Sequence, residues 1–103
     1  MARPSPLPLD AVDAALAGAD LAGWSRTGDE IRAEIACSSF RAAIALVVEI
    51  GFLAEAADHH PDIDIRWRTV RLALTTHDAG GLTDLDLDLA RRVNEVAAAT
   101  PRG

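Results

Sequence analysis

The chain has 103 residues, half of them apolar and a quarter charged, enough for one compact domain with a small core. Its net charge is -6, and its ten arginines (it has no lysine) are scattered. No clustered positive patch of the kind that releases counterions from a nucleic acid is present, so no nucleic-acid partner is expected.

The segment Met1–Pro8 holds three prolines and reads as a flexible arm ahead of a single domain over residues 9–103. It has no apolar core of signal-peptide length. No run in the chain approaches a membrane span, and the lone Cys37 fits a reducing compartment. A cytoplasmic protein with no membrane partner is the expectation. Helical spacing of Leu9, Val12, Leu16 and Ala19 predicts a first helix that Gly23 ends. Trp24–Arg26 reads as a short strand and Thr27-Gly28-Asp29 as a turn. From Glu30 to Cys37 apolar and polar residues alternate, the mark of a half-buried strand with Cys37 in the core.

Ser39 is a fitting N-cap for a long helix to about His59. It carries two apolar stripes, Phe40, Ile44, Val47, Val48 and Gly51, then Leu46, Ile50, Leu53 and Ala57. Together they exceed the roughly 100°-wide face that one sheet-packed helix needs. The surplus, assigned to the Leu46 stripe, predicts burial against another subunit. Pro61 cannot continue a helix. Two strands follow, Asp64–Trp67 and Thr69–Thr76, then a loop through "HDAGGL" and a last helix from Thr83, with Asp86 in its first turn and Leu85, Leu89, Val93 and Val96 buried. The order predicts an α+β fold, α-β-β-α-β-β-α, with a four-stranded antiparallel sheet and three helices packed on one face.

The chemistry of interest sits in "EAADHHPD", Glu55–Asp62. Glu55 and His59 are four apart and would share a helix face, and a carboxylate beside an imidazole orients the ring. His60 lies where the chain leaves the helix, and His77 follows a strand. A histidine at a helix end is commonly an electrostatic cap, so cap and site stay balanced on the residues alone. Three imidazoles could hold zinc, but adjacent histidines at a helix end point their rings apart. No serine has a nucleophile-elbow setting. Metal-free acid–base catalysis is the remaining chemistry, since histidine both gives and takes protons near neutral pH.

The spaced pattern Glu55, His59-His60-Pro61, Trp67 and Thr76-His77 closely resembles the pterin-4a-carbinolamine dehydratase family, and the resemblance covers nearly the whole chain after the arm. It implies removal of water from a 4a-hydroxytetrahydropterin to give a quinonoid dihydropterin, recycling the cofactor of aromatic amino acid hydroxylases. It also implies that no metal or other cofactor is used. By position, His59 and His77 would be the acid–base pair, His60 would hold the 4a-hydroxyl and Glu55 would orient His59. Asp58, Trp67, Thr75 and Thr76 would bind or frame the pterin. Trp67 replaces the usual tyrosine, and Leu85 replaces an arginine before Asp86, which is carried as a site residue with helix capping as its expected role. The surplus apolar face of the central helix predicts a homodimer or homotetramer through that helix and a sheet edge. Animal members also bind a transcription factor, so a partner-binding module is the alternative.

Overall fold

The computed structural model describes residues 5–99. In chain order these form α1 (Leu9–Leu16), a 3-10 turn (Ala19–Leu21), β1 (Trp24–Thr27), β2 (Glu30–Ala36), α2 (Phe40–Ala57), β3 (Asp62–Arg66), β4 (Thr69–Leu74), a second 3-10 turn (His77–Ala79) and α3 (Asp84–Ala99). The strands make one antiparallel sheet in the order β1-β2-β4-β3. The expected fold class is the one observed.

Alternation puts one side of each strand in the core. Ile31, Ala33 and Ile35 of β2 lie opposite Leu74, Leu72 and Val70 of β4, and all six are buried. Arg32, Glu34 and Arg71, on the other face, are exposed. The helices cover the apolar face. Residues 5–8, read as the end of a loose arm, are tied to this core: Leu7 packs against it and its N–H donates to the carbonyl of Leu82 at 2.8 Å. Residues 1–4 lie outside the described residues.

The central helix, α2, starts where expected. The Ser39 side chain accepts from the Ala42 N–H at 3.0 Å, satisfying one of the orphan donors of the first turn. Its stripes are used the opposite way round from the sequence reading. Ala43, Leu46, Ile50 and Ala54 are buried against the sheet and α3. Phe40, Ile44, Val48 and Phe52, at steps of four, stand 53%, 40%, 50% and 67% exposed. Both stripes are apolar, so pattern alone could not tell which one met the sheet.

The second hairpin is shifted by comparison with the expectation. Arg66 pairs with Thr69, which leaves Trp67 and Arg68 as a two-residue turn with Trp67 at φ 54°. Its ring lies 72% exposed, 4.8 Å from the Arg68 guanidinium carbon. β3 starts at Asp62, two residues earlier than expected.

Leu46→Ala should lower the unfolding free energy by about 2–5 kcal/mol, the cost of emptying a fully buried leucine site. Urea titration measures it, and a loss under about 0.5 kcal/mol would mean that this stripe is not the core.

Candidate active site

The end of α2 sets the geometry. Asp58 takes the left-handed conformation, φ 49° and ψ 43°. The His59 N–H donates to the Ala54 carbonyl at 3.1 Å and the Asp58 N–H to the Glu55 carbonyl at 3.2 Å. These two bonds are the Schellman pair that closes a helix C-terminus. The helix therefore stops at Ala57, two residues before the expected end, and Asp58 rather than Pro61 stops it.

The reversal separates the two adjacent histidines. His59 turns inward and is 7% exposed, with its Nε2 2.6 Å from Asp86 Oδ1. His60 stays outside, its Nε2 3.2 Å from Glu55 Oε1. The expected Glu55–His59 pairing is thus replaced by Glu55–His60. The i, i+4 rule holds only along continuous helix, and His59 lies beyond the left-handed residue.

Asp86 is fully buried, on the face of α3 that also presents Leu89, Ala90, Val93 and Ala97 to the core. Leu85, expected in that stripe, is only half-buried. A buried carboxylate must be hydrogen-bonded, and Asp86 is. Oδ1 faces His59; Oδ2 accepts from the Thr76 hydroxyl at 2.7 Å and from the Thr83 N–H at 2.9 Å. The second bond is the returning half of a capping box at the start of α3. Asp86 is therefore a helix cap, as expected from its position, and also the partner of a site histidine.

The β4–α3 connection brings these groups together. β4 ends at Leu74, two residues short of expectation, and Thr76 forms an isolated bridge with Gly81. The His77–Ala79 turn closes on Gly80 at φ 73°, a value that glycine adopts without penalty. The loop holds His77 at the surface while Thr76 points to Asp86.

A cleft of about 270 Å³ opens between the two segments, lined by Asp58, His59, His60, Thr75, Thr76, His77 and Asp78. His59, His60 and His77 thus come together on one opening, with Asp58 and the Thr75-Thr76 pair. Glu55 reaches the cleft only through His60. Trp67 does not join it: the turn that carries it lies one full strand, roughly 17 Å, from the Asp62 end of β3. The Thr75 hydroxyl is given to the Asp29 carbonyl at 2.6 Å.

The hydrogen bond to Asp86 decides which nitrogen of His59 works. A carboxylate accepts only, so Nε2 carries the proton and Nδ1 carries the lone pair. His59 lines the cleft, and among the described residues no buried side-chain nitrogen or oxygen lacks a hydrogen-bond partner. An imidazole so held is a base whose protonated form is met by a buried carboxylate. No group of three His, Cys, Asp or Glu among the described residues is arranged to hold a metal ion.

Residues 5–96 match the model of the family described as pterin 4 alpha carbinolamine dehydratase. The chain belongs to that family. It is 64% identical over 77 residues to a protein of Roseiflexus sp. (strain RS-1) provisionally named pterin-4-alpha-carbinolamine dehydratase, covering 75% of this chain and 83% of that protein. A relative from Nocardia farcinica (strain IFM 10152) with the same provisional name is 59% identical over 78 residues, 76% of this chain and 82% of that one. The fold is that of a solved transcriptional coactivator/pterin dehydratase from Brucella melitensis, with a TM-score of 0.84, 28% identity, and coverage of 90% of this chain and 99% of that one. A pterin dehydratase-like protein identified as a RuBisCO assembly factor in the alpha-carboxysome shares the fold at a TM-score of 0.60 and 20% identity, over 72% of this chain and 86% of its own.

Sequence reading found every residue lining the cleft except Asp78. It placed Thr83 only at the start of the last helix and not in the site, where its N–H and hydroxyl hold Asp86 and Thr76.

Two substitutions separate strain from function here. Asp58→Gly should raise stability by up to about 1 kcal/mol, because glycine meets no steric penalty at φ 49°. Asp86→Asn should lower it by about 1–3 kcal/mol, since the amide turns a donor either on the Nε2–H of His59 or on the donors from Thr76 and Thr83. Thermal unfolding of both variants beside wild type measures the opposed signs.

Proposed function

We propose that this chain removes water from a pterin 4a-carbinolamine by histidine acid–base catalysis without a metal or other cofactor. The observation that carries the reading is the cleft in which His59, fixed by Asp86, faces His60 and His77. In the elimination the lone pair of the ring nitrogen next to the 4a carbon forms a C=N bond as the C–O bond breaks. A base must take the proton of that nitrogen, and an acid must protonate the departing hydroxyl. His59 Nδ1 serves as the base, with Asp86 compensating the imidazolium. His77, at the start of the β4–α3 turn, is the acid. His60, held by Glu55, polarises the 4a-hydroxyl, and Asp58 and Thr75 frame the pterin. Water and quinonoid dihydropterin leave, and the product is returned for reuse by aromatic amino acid hydroxylases in the cytoplasm.

The protein acts as a homo-oligomer, a dimer or tetramer, through the outer face of α2 and a sheet edge. Phe40, Ile44, Val48 and Phe52 form an apolar stripe of the sort that marks an interaction site. Gly51 lies beside them, with nothing within 4 Å of where its Cβ would be. A mid-helix glycine costs about 1 kcal/mol relative to alanine, and here it leaves room for a neighbouring backbone. Leu46, first assigned to this role, belongs to the core. The same stripe supports a second reading, a module for a foreign partner, in keeping with the Brucella melitensis neighbour being named a transcriptional coactivator as well as a pterin dehydratase.

Purified protein should speed the decay of a 4a-hydroxytetrahydropterin, followed in a stopped-flow spectrophotometer. His59→Ala and His60→Ala should each lose on the order of 100-fold or more of that acceleration. A wild-type rate equal to that in buffer rules out the enzyme. Sedimentation should give an oligomer for wild type and a monomer for Val48→Glu. A wild-type monomer favours the foreign partner.

A further inference from the structure

The hydroxyl groups around Asp86 form a chain whose direction can be worked out by counting hydrogens. The single hydroxyl hydrogen of Thr76 goes to Asp86 Oδ2 at 2.7 Å. The 2.8 Å contact between Thr76 Oγ1 and Thr83 Oγ1 must then be made by the hydrogen of Thr83. The Thr83 oxygen in turn accepts from the Leu85 N–H at 3.1 Å. The order runs from the first turn of α3 through Thr83 and Thr76 to Asp86, which also receives Nε2–H of His59. Thr83 and Asp86 are fully buried, with Thr76 2% and His59 7% exposed, so no water competes at full strength for these bonds.

We infer that Thr83 is a positioning residue for His59, acting through Thr76 and Asp86. It grips the carboxylate twice, directly by its own N–H and indirectly by orienting the Thr76 hydroxyl. With Oδ2 taken up by those two donors, Oδ1 is left to His59. The carboxylate cannot rotate to offer His59 a poorer geometry without giving up a donor. The ring consequently stays in the tautomer with its proton on Nε2 and its lone pair on Nδ1. The N-cap of α3 and the state of the base are one piece of structure, which no property of the cleft lining alone reveals.

The kinetic half of this inference rests on the proposed dehydration; the tautomer half does not. With the histidine rings labelled with 15N, the long-range proton–nitrogen couplings of His59 report which nitrogen carries the proton. Wild type should show Nε2–H alone. Thr83→Val, which keeps the shape and removes the hydroxyl, should show both tautomers. It should also lower kcat about fivefold, the scale of one hydrogen bond between neutral hydroxyls, while KM stays within about twofold. Thr83→Ser should restore both the single tautomer and the rate. A folded Thr83→Val protein with an unchanged His59 tautomer overturns the inference. Should that variant fail to fold, Thr76→Val, which leaves the cap of α3 in place, is held to the same two outcomes. If wild type proves inactive, the dehydratase reading falls, and the tautomers still decide the role of Thr83.

Discussion

The site depends on a carboxylate with no exposed surface. Asp86 lies on the core side of α3, where an acidic group is stable only if its oxygens are matched by donors. Those donors come from three separate places: the end of α2 through His59, the end of β4 through Thr76, and the start of α3 through Thr83. Satisfying Asp86 therefore fixes the relative position of the segments that line the cleft. Removing the carboxylate would disorder the site and weaken the fold together, which is how a buried polar network behaves when one member is lost.

A second constraint is the left-handed residue that ends α2. Asp58 accepts a conformation that side chains rarely adopt, at a cost of about 1 kcal/mol or more. The return is that two neighbouring histidines face different surroundings. His59 is sent to a buried acid and His60 to an exposed one, so their chemistry diverges although they are adjacent in the chain. Strain held by the surrounding bonds at a cleft residue fits a site built for function rather than for stability alone.

Much of this was legible in the sequence. The sheet could be read because alternation in β2 and β4 is nearly perfect and each face has one solvent, oil or water. The site histidines could be located because helix end and strand end bracket them. The partnering of Glu55 could not, because nothing in "EAAD" announces a left-handed Asp58; that position is more often glycine. The two stripes of α2 were visible, but their assignment depends on which fits the sheet, a matter of tertiary packing. Asp86 was legible as a first-turn cap and a candidate site residue, but not as a buried one, although it shares its helix face with Leu89, Ala90, Val93 and Ala97 and an acid in such a stripe calls for buried partners. Trp67 was misplaced because a strand pattern of period two continues through it, whereas the hairpin turns there.

The proposed dehydration turns on one contact, between His59 Nδ1 and the pterin ring. A crystal structure of the protein with a bound dihydropterin measures it directly. The account predicts the ring in the cleft between Asp58 and Asp78, with Nδ1 within about 3.2 Å of the ring nitrogen next to the 4a carbon and Nε2 still on Asp86. A pterin bound elsewhere, or seated in the cleft with Nδ1 turned from the ring, would contradict it.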